Sequence, residues 1–163
     1  MQTAYVMKAI RLAALLACLG HGTGGWAAEP RELSWDELVP PGAMMWYEPG
    51  SEPLEPSSPI PAPVVEALDG QEVRIPGFIV PLESDEGGLL AEFFLVPYFG
   101  ACIHVPPPPP NQIVYVTVDP PFNLESMWEP FWIEGRMRTK GHVSLIGTTA
   151  YSLTASKIEP YEY

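Results

Sequence analysis

Proline decides most of what this chain can build. Of its 163 residues 21 are proline, a residue with no backbone N–H and a fixed φ, which ends helices and breaks sheet ladders. Eight of them fall between Pro40 and Pro63, so that stretch carries neither helical nor strand periodicity. Five more form the unbroken run Pro106 to Pro110, a polyproline II rod of about 15 Å with solvated carbonyls. Regular structure has to fit around these blocks in short pieces.

Outside them the pattern is β. From Asp69-Gly70 onward, Glu72 to Ile75 alternates, Pro76-Gly77 reads as a bulge, and Phe78 to Leu82 continues the strand. Leu89 to Tyr98, Gln112 to Val118, Phe131 to Arg138 and Ala150 to Ile158 supply four more. In the fourth, Ile133, Gly135 and Met137 fall on one face and Glu134, Arg136 and Arg138 on the other. Five short strands bent at Gly or Pro close into a barrel more readily than they lie in an open sheet with long edges. The fold expected is mostly β, a small five-stranded OB-type barrel with an N-terminal Pro-rich arm; a β-sandwich is the alternative. Val73, Ile75, Phe94, Val114, Val116, Ile133 and Leu153 are expected to fill its core, with Trp128, Phe131 and Trp132 in the core or at the barrel mouth.

The arm precedes it. Ser34 and Glu37 are spaced as a capping box for a short helix that Pro40-Pro41 stops. Trp35, Met44, Met45, Trp46 and Tyr47 are too apolar for a free linker and are expected to dock on the barrel. The division expected is 1–27 signal peptide, 28–68 arm and 69–163 barrel.

The N-terminus reads as an export signal. Lys8 and Arg11 precede the apolar run Leu12 to Gly20, and Gly25-Trp26-Ala27-Ala28 offers a small-x-small cleavage site. The apolar run falls short of the roughly 20 residues of a spanning helix, so the mature chain is expected not to be integral in a membrane. Leu15-Leu16-Ala17-Cys18 also reads as a lipobox, which would leave a lipid anchor on Cys18. Either way the expected location is the periplasm of a Gram-negative bacterium. The formal net charge of −12 becomes −14 once Lys8 and Arg11 are removed, with six basic side chains left against twenty acidic ones. Such a chain repels phosphate backbones, which argues against nucleic acid, and attracts cations. With 47% apolar and 17% charged residues it has the means to build a core. Cleavage after residue 27 leaves Cys102 as the lone cysteine, which excludes an internal disulfide.

The text around that cysteine, Phe94-Leu95-Val96-Pro97-Tyr98-Phe99-Gly100-Ala101-Cys102-Ile103-His104-Val105 followed by the proline run and Asn111-Gln112, is the most unusual in the chain. With Trp35 and Val73-Arg74-Ile75-Pro76-Gly77, it resembles a bacterial family of exported proteins known only as a domain of unknown function, over nearly the whole mature length. Members of that family are often encoded in zinc-responsive clusters beside ABC-type transporter components. The resemblance implies a part in periplasmic metal handling and a transporter component as partner, and carries no catalytic residue.

Read by themselves, Cys102 and His104 are two residues apart, so an extended backbone points both to one face with Cα atoms about 6.5 Å apart. A thiolate and an imidazole so placed suit zinc or copper(I). Zinc takes three or four ligands, and His142 is the other histidine left in the mature chain; Glu92, Asp85 and Glu134 are candidate oxygen donors. Two other readings stand beside this one: Cys102 as a buried core thiol with His104 satisfied by backbone groups, and a reactive thiol whose pKa His104 lowers. The proline run reads as a strut for this pair, or as a motif for an aromatic groove. Asn111 and Gln112 are placed to pin its end. No phosphate-binding glycine loop, GxSxG elbow or HExxH pair is present, so no common enzyme class is in view. The expected function is therefore an accessory protein of periplasmic metal homeostasis, with zinc as the expected cofactor. A structural module that docks a transporter subunit is the alternative, and a thiol-dependent enzyme the third.

Overall fold

Strands that bury one face and pair both edges leave no ladder open to solvent. The computed structural model describes residues 29–43, 62–84, 88–101 and 108–162, with backbone alone at 83–84. Along these the strands are β1 (Arg31–Glu32), β2 (Glu72–Ser84), β3 (Leu89–Val96), β4 (Val114–Asn123), β5 (Phe131–Arg138), β6 (Val143–Ser144), β7 (Gly147–Thr148) and β8 (Tyr151–Pro160). Five of them close a barrel in the order β2-β3-β4-β8-β5 and back to β2. Only β4 and β8 run parallel within it, with Val114 beside Tyr151 and Val118 beside Ala155. This is the connectivity of an OB-type barrel. The short β1 adds to β2 in parallel, and β6–β7 form a separate hairpin in the β5–β8 connection.

Closure needs sharp coiling, and two glycines permit it. β2 pairs with β5 through Gly77 and with β3 from Phe78 onward. At Gly77 a Cβ would lie 2.8 Å from the Val96 carbonyl oxygen. At Gly135, where the β5–β8 register shifts, a Cβ would lie 2.1 Å from the Thr154 carbonyl oxygen. Pro76-Gly77 is thus no interruption: β2 runs through it, and the bulges fall between Pro81 and Ser84.

Inside, Val73, Ile75, Val114, Val116, Ile133 and Leu153 are all buried in one cluster with Phe93, Leu95 and Met137. Burying each such side chain is worth about 1.5–3 kcal/mol. Phe94 is buried but does not belong here. It sits with Val96, Ala101 and Ile113 in a second cluster on the outside of the sheet. Four consecutive residues, Phe93 to Val96, are buried on both faces, so alternation cannot tell inside from outside. Register decides it: Phe93 pairs with core Val116 and Phe94 with Tyr115. Phe131 joins the core, and Trp132 packs flat on Tyr161 with the Arg74 guanidinium 4.2 Å from its ring centre. Trp128 fills no barrel mouth; it is 71% exposed.

The preceding segment is tied to the barrel through its backbone. A 3-10 turn over Trp35–Leu38 begins where the Ser34 N–H donates to the Glu37 carboxylate at 3.0 Å. Leu33 and Leu38 are buried in the barrel cluster. The Trp35 indole donates to the Pro76 carbonyl at 2.7 Å. The Tyr151 hydroxyl donates to the Leu38 carbonyl at 2.8 Å and accepts the Val65 N–H at 2.6 Å. Asn111 and Gln112, buried in the 3-10 turn Pro110–Gln112, donate to the carbonyls of Pro63 at 3.1 Å and Trp35 at 2.7 Å. Residues 1–27 with Cys18, Met44 to Tyr47, Asp85, Cys102 and His104 lie outside the described residues.

Candidate functional site

In an OB-type barrel the outer face of the second and third strands, with the loop between the fourth and fifth, is the usual ligand surface. Here that face belongs to β3 and β4, and alternation puts Glu92, Phe94 and Val96 of β3 beside Tyr115 and Thr117 of β4. Phe94, Val96, Ala101 and Ile113 form the buried part of the outer cluster, against which Phe78, Val80, Tyr98 and Tyr115 pack. Phe94 and Tyr115 meet edge to face, with ring centres 6.5 Å apart.

The β5–β8 connection folds over this cluster. Gly147 allows the approach, since a Cβ there would lie 3.2 Å from the Phe94 ring. The same connection brings His142 onto Tyr115, the two rings stacked 3.9 Å apart and within 7° of parallel. Thr149 fixes the histidine backbone: its N–H donates to the His142 carbonyl at 2.9 Å, and its hydroxyl accepts the His142 N–H at 3.0 Å. That hydroxyl in turn donates to the Tyr151 carbonyl at 3.0 Å. Next to it, the Ala150 N–H donates to the Pro110 carbonyl at 2.7 Å, joining the connection to the end of the proline run. His142 is thus held from behind and on one ring face, and it is half-buried.

Beside it, the Glu92 carboxylate of β3 neighbours the Tyr115 phenol of β4 on the same face. Burial first, then that carboxylate, push the Tyr115 phenol up to about 12, so at neutral pH it holds its proton and donates. Glu92 itself is exposed, and an ionised carboxylate offers several acceptor sites. The face therefore presents an imidazole stacked on a protonated phenol, with a carboxylate beside the phenol.

Of the residues singled out in the sequence, His142 and Glu92 come together here through Tyr115. Glu134 goes elsewhere, held 3.4 Å from Arg74 and 3.8 Å from Lys157. Cys102 and His104 are not among the described residues. Ala101, the residue before Cys102, is buried in the outer cluster together with Phe94. Among the described residues no group of three or more His, Cys, Asp or Glu side chains stands close enough to hold a metal. Tyr115 is the residue that sequence reading passed over. Its signal was an aromatic side chain at an outward-facing position of Gln112 to Val118, with nothing in the strand itself to cover it.

A second corner of this face is aromatic. Phe99 packs edge to face on Phe78 at 5.9 Å and lies 4.8 Å from Trp128. Together with Val80, Val96 and Ala101 they line an apolar cavity of about 110 Å³. Trp128 and Met127 continue outward to an open depression shared with Leu90 and Leu124.

A family model described as "Protein of unknown function (DUF3299)" matches residues 35–160. The chain is also similar to a solved crystal structure of a DUF3299 family protein from Pseudomonas aeruginosa PAO1, at 46% identity and a TM-score of 0.72. That match covers 82% of this chain and 97% of the other. A search of curated proteins finds no match.

Proposed function

From the premise that this chain belongs to the DUF3299 family, whose description states no function, we propose that it is an exported accessory protein of periplasmic metal handling that binds zinc through Cys102, His104 and His142. One observation carries the reading. His142 is held on the outer face of β3–β4 by its stack on Tyr115, and the residue that precedes Cys102 is buried in the cluster Tyr115 packs against. One thiolate and two imidazoles make a usual protein complement for zinc. Glu92 is the carboxylate for a fourth position, and the neighbouring Tyr115 phenol would support it as outer partners of metal ligands do.

The order of basic, apolar and small residues over the first 28 positions supports export. No helix among the described residues is long and apolar enough to cross a membrane. A transporter component is the expected partner. The interaction-module reading keeps a specific observation of its own, the exposure of Phe99, Met127 and Trp128, because contiguous exposed apolar side chains mark contact surfaces.

Zinc titration of the reduced, metal-freed protein tests the proposal. Cys102→Ser, His104→Ala and His142→Ala should each weaken binding by more than about a hundredfold, and Tyr115→Phe by about tenfold, the scale for a supporting residue. Binding should also weaken as pH falls below about 6, where protons compete for imidazole and thiolate. Unchanged affinity in all three ligand variants would move the lead to the interaction module.

A further inference from the structure

The β6–β7 hairpin ends in an apolar point. Leu145 is fully exposed, Val143 is 68% and Ile146 50% exposed, while the outer cluster under the hairpin is already filled by Phe94 and its neighbours. The charge around this point is unlike that of the rest of the chain. From Gly135 to Ile158 there is no Asp or Glu, although the chain carries twenty, and Arg136, Arg138, Lys140 and Lys157, half of its eight basic residues, lie there. Arg136 is paired with Glu72 and Arg138 with Asp69. Glu66 and Asp69 bond to Thr139 at the base of the connection. Lys140, three residues before Val143, makes no ion pair among the described residues.

We infer that this hairpin point enters the surface of an anionic phospholipid bilayer, with Leu145, Ile146 and Val143 at the boundary of headgroups and acyl chains and Lys140 among the phosphates. Charge favours this occupant: Arg136, Arg138 and Lys157 are paired with acidic partners, while the connection itself has no acidic side chain and leaves Lys140 beside its tip. Shape does so too. A two-residue turn at Leu145–Ile146 is narrow and convex, and a standard protein interface needs about 800 Å² from each partner, more than such a point offers. Lipid closes around a protruding apolar group without a preformed pocket. The second exposed apolar patch, at Met127 and Trp128, lies between Glu125 and Glu129 and is repelled by the same surface. Three side chains and one cation make a weak, reversible contact of the kind that needs a second signal for stable anchoring.

Sedimentation with vesicles tests this, using the chain as recovered from the cells that export it. Vesicles of phosphatidylethanolamine with phosphatidylglycerol should carry down the protein, and vesicles of phosphatidylcholine alone should carry down several-fold less. Leu145→Asp and Ile146→Asp should each cut binding at least about tenfold, as loss of a large apolar side chain from the acyl boundary requires. Lys140→Glu should cut it about fivefold, with weaker dependence on salt, on the scale of one basic residue at an anionic leaflet. Trp128→Ser should leave it unchanged. The tip residues are exposed, so unaltered thermal melts will show that every variant is folded. Equal sedimentation of wild type and tip variants, or none with either vesicle, would overturn the inference. So would self-association abolished by Leu145→Asp in a protein that ignores vesicles, which would make the tip a contact between copies.

Discussion

His142 lies flat against Tyr115, ring centres 3.9 Å apart, and Thr149 grips its backbone from the other side. The stack joins the β5–β8 connection to the outer face of β3–β4. Such a pair is worth about 0.5–1.5 kcal/mol beyond area burial. Tyr115→Phe should keep the stack and Tyr115→Ala should lose it. In proton spectra the His142 ring signals should stay shifted by the neighbouring ring in Tyr115→Phe and return to ordinary positions in Tyr115→Ala. Tyr115→Ala should also cost on the order of 2 kcal/mol in chemical denaturation.

The Tyr115 phenol supplies a pH prediction with a definite sign. Its folded value is raised to about 12 by burial and by Glu92, above the ordinary value near 10. The unfolded chain therefore loses this proton first. The stability tied to the neutral phenol is complete below about pH 10 and is lost as pH rises through about 12. Ultraviolet titration should show one late-ionising tyrosine fewer in Tyr115→Phe, since burial raises Tyr151 as well. Glu92→Gln should lower its value only in part, because burial is the larger cause.

Tyr151 is the bolt between the N-terminal segment and the barrel. Tyr151→Phe removes the acceptor for Val65 N–H and the donor to Leu38 carbonyl at once. Leaving such groups unpaired costs about 1–3 kcal/mol. Equilibrium unfolding should show that loss, and the Val65 amide should exchange with solvent faster while amides of β4 stay protected.

Gly135 and Gly147 should differ in their tolerance for a methyl group. At Gly135 it would strike the backbone of β8, and at Gly147 it would press a movable ring. Gly135→Ala should cost at least the roughly 1–3 kcal/mol of an overpacked core, and Gly147→Ala well under half of that. Thermal melts of the two variants side by side check the order.

The barrel was legible because its signals are local. Alternation along Glu72 to Ile75 and Phe131 to Arg138, with glycine inside both strands, specifies paired, coiled strands whatever surrounds them. Phe94 was not legible, because both faces of Phe93 to Val96 are covered and only pairing with Tyr115 shows which way each residue points. Nor was the small hairpin Val143–Thr148, whose two-residue strands are too short for a period. Trp128 reads as core by residue type, yet it is mostly exposed, between two glutamates that keep its loop at the surface. Cys102 and His104 share a face by spacing alone. What brings His142 onto Tyr115 is the folding-over of a separate connection, which no spacing records.

Elemental analysis of the protein isolated from the periplasm under reducing conditions tests most directly whether the β3–β4 face holds a metal. The account predicts about one zinc per chain, the stoichiometry of a single site, retained in Trp128→Ser and lost in both Cys102→Ser and His142→Ala. A wild-type protein that carries neither zinc nor copper at neutral pH, and whose Cys102 ignores thiol reagents until the chain unfolds, would contradict it.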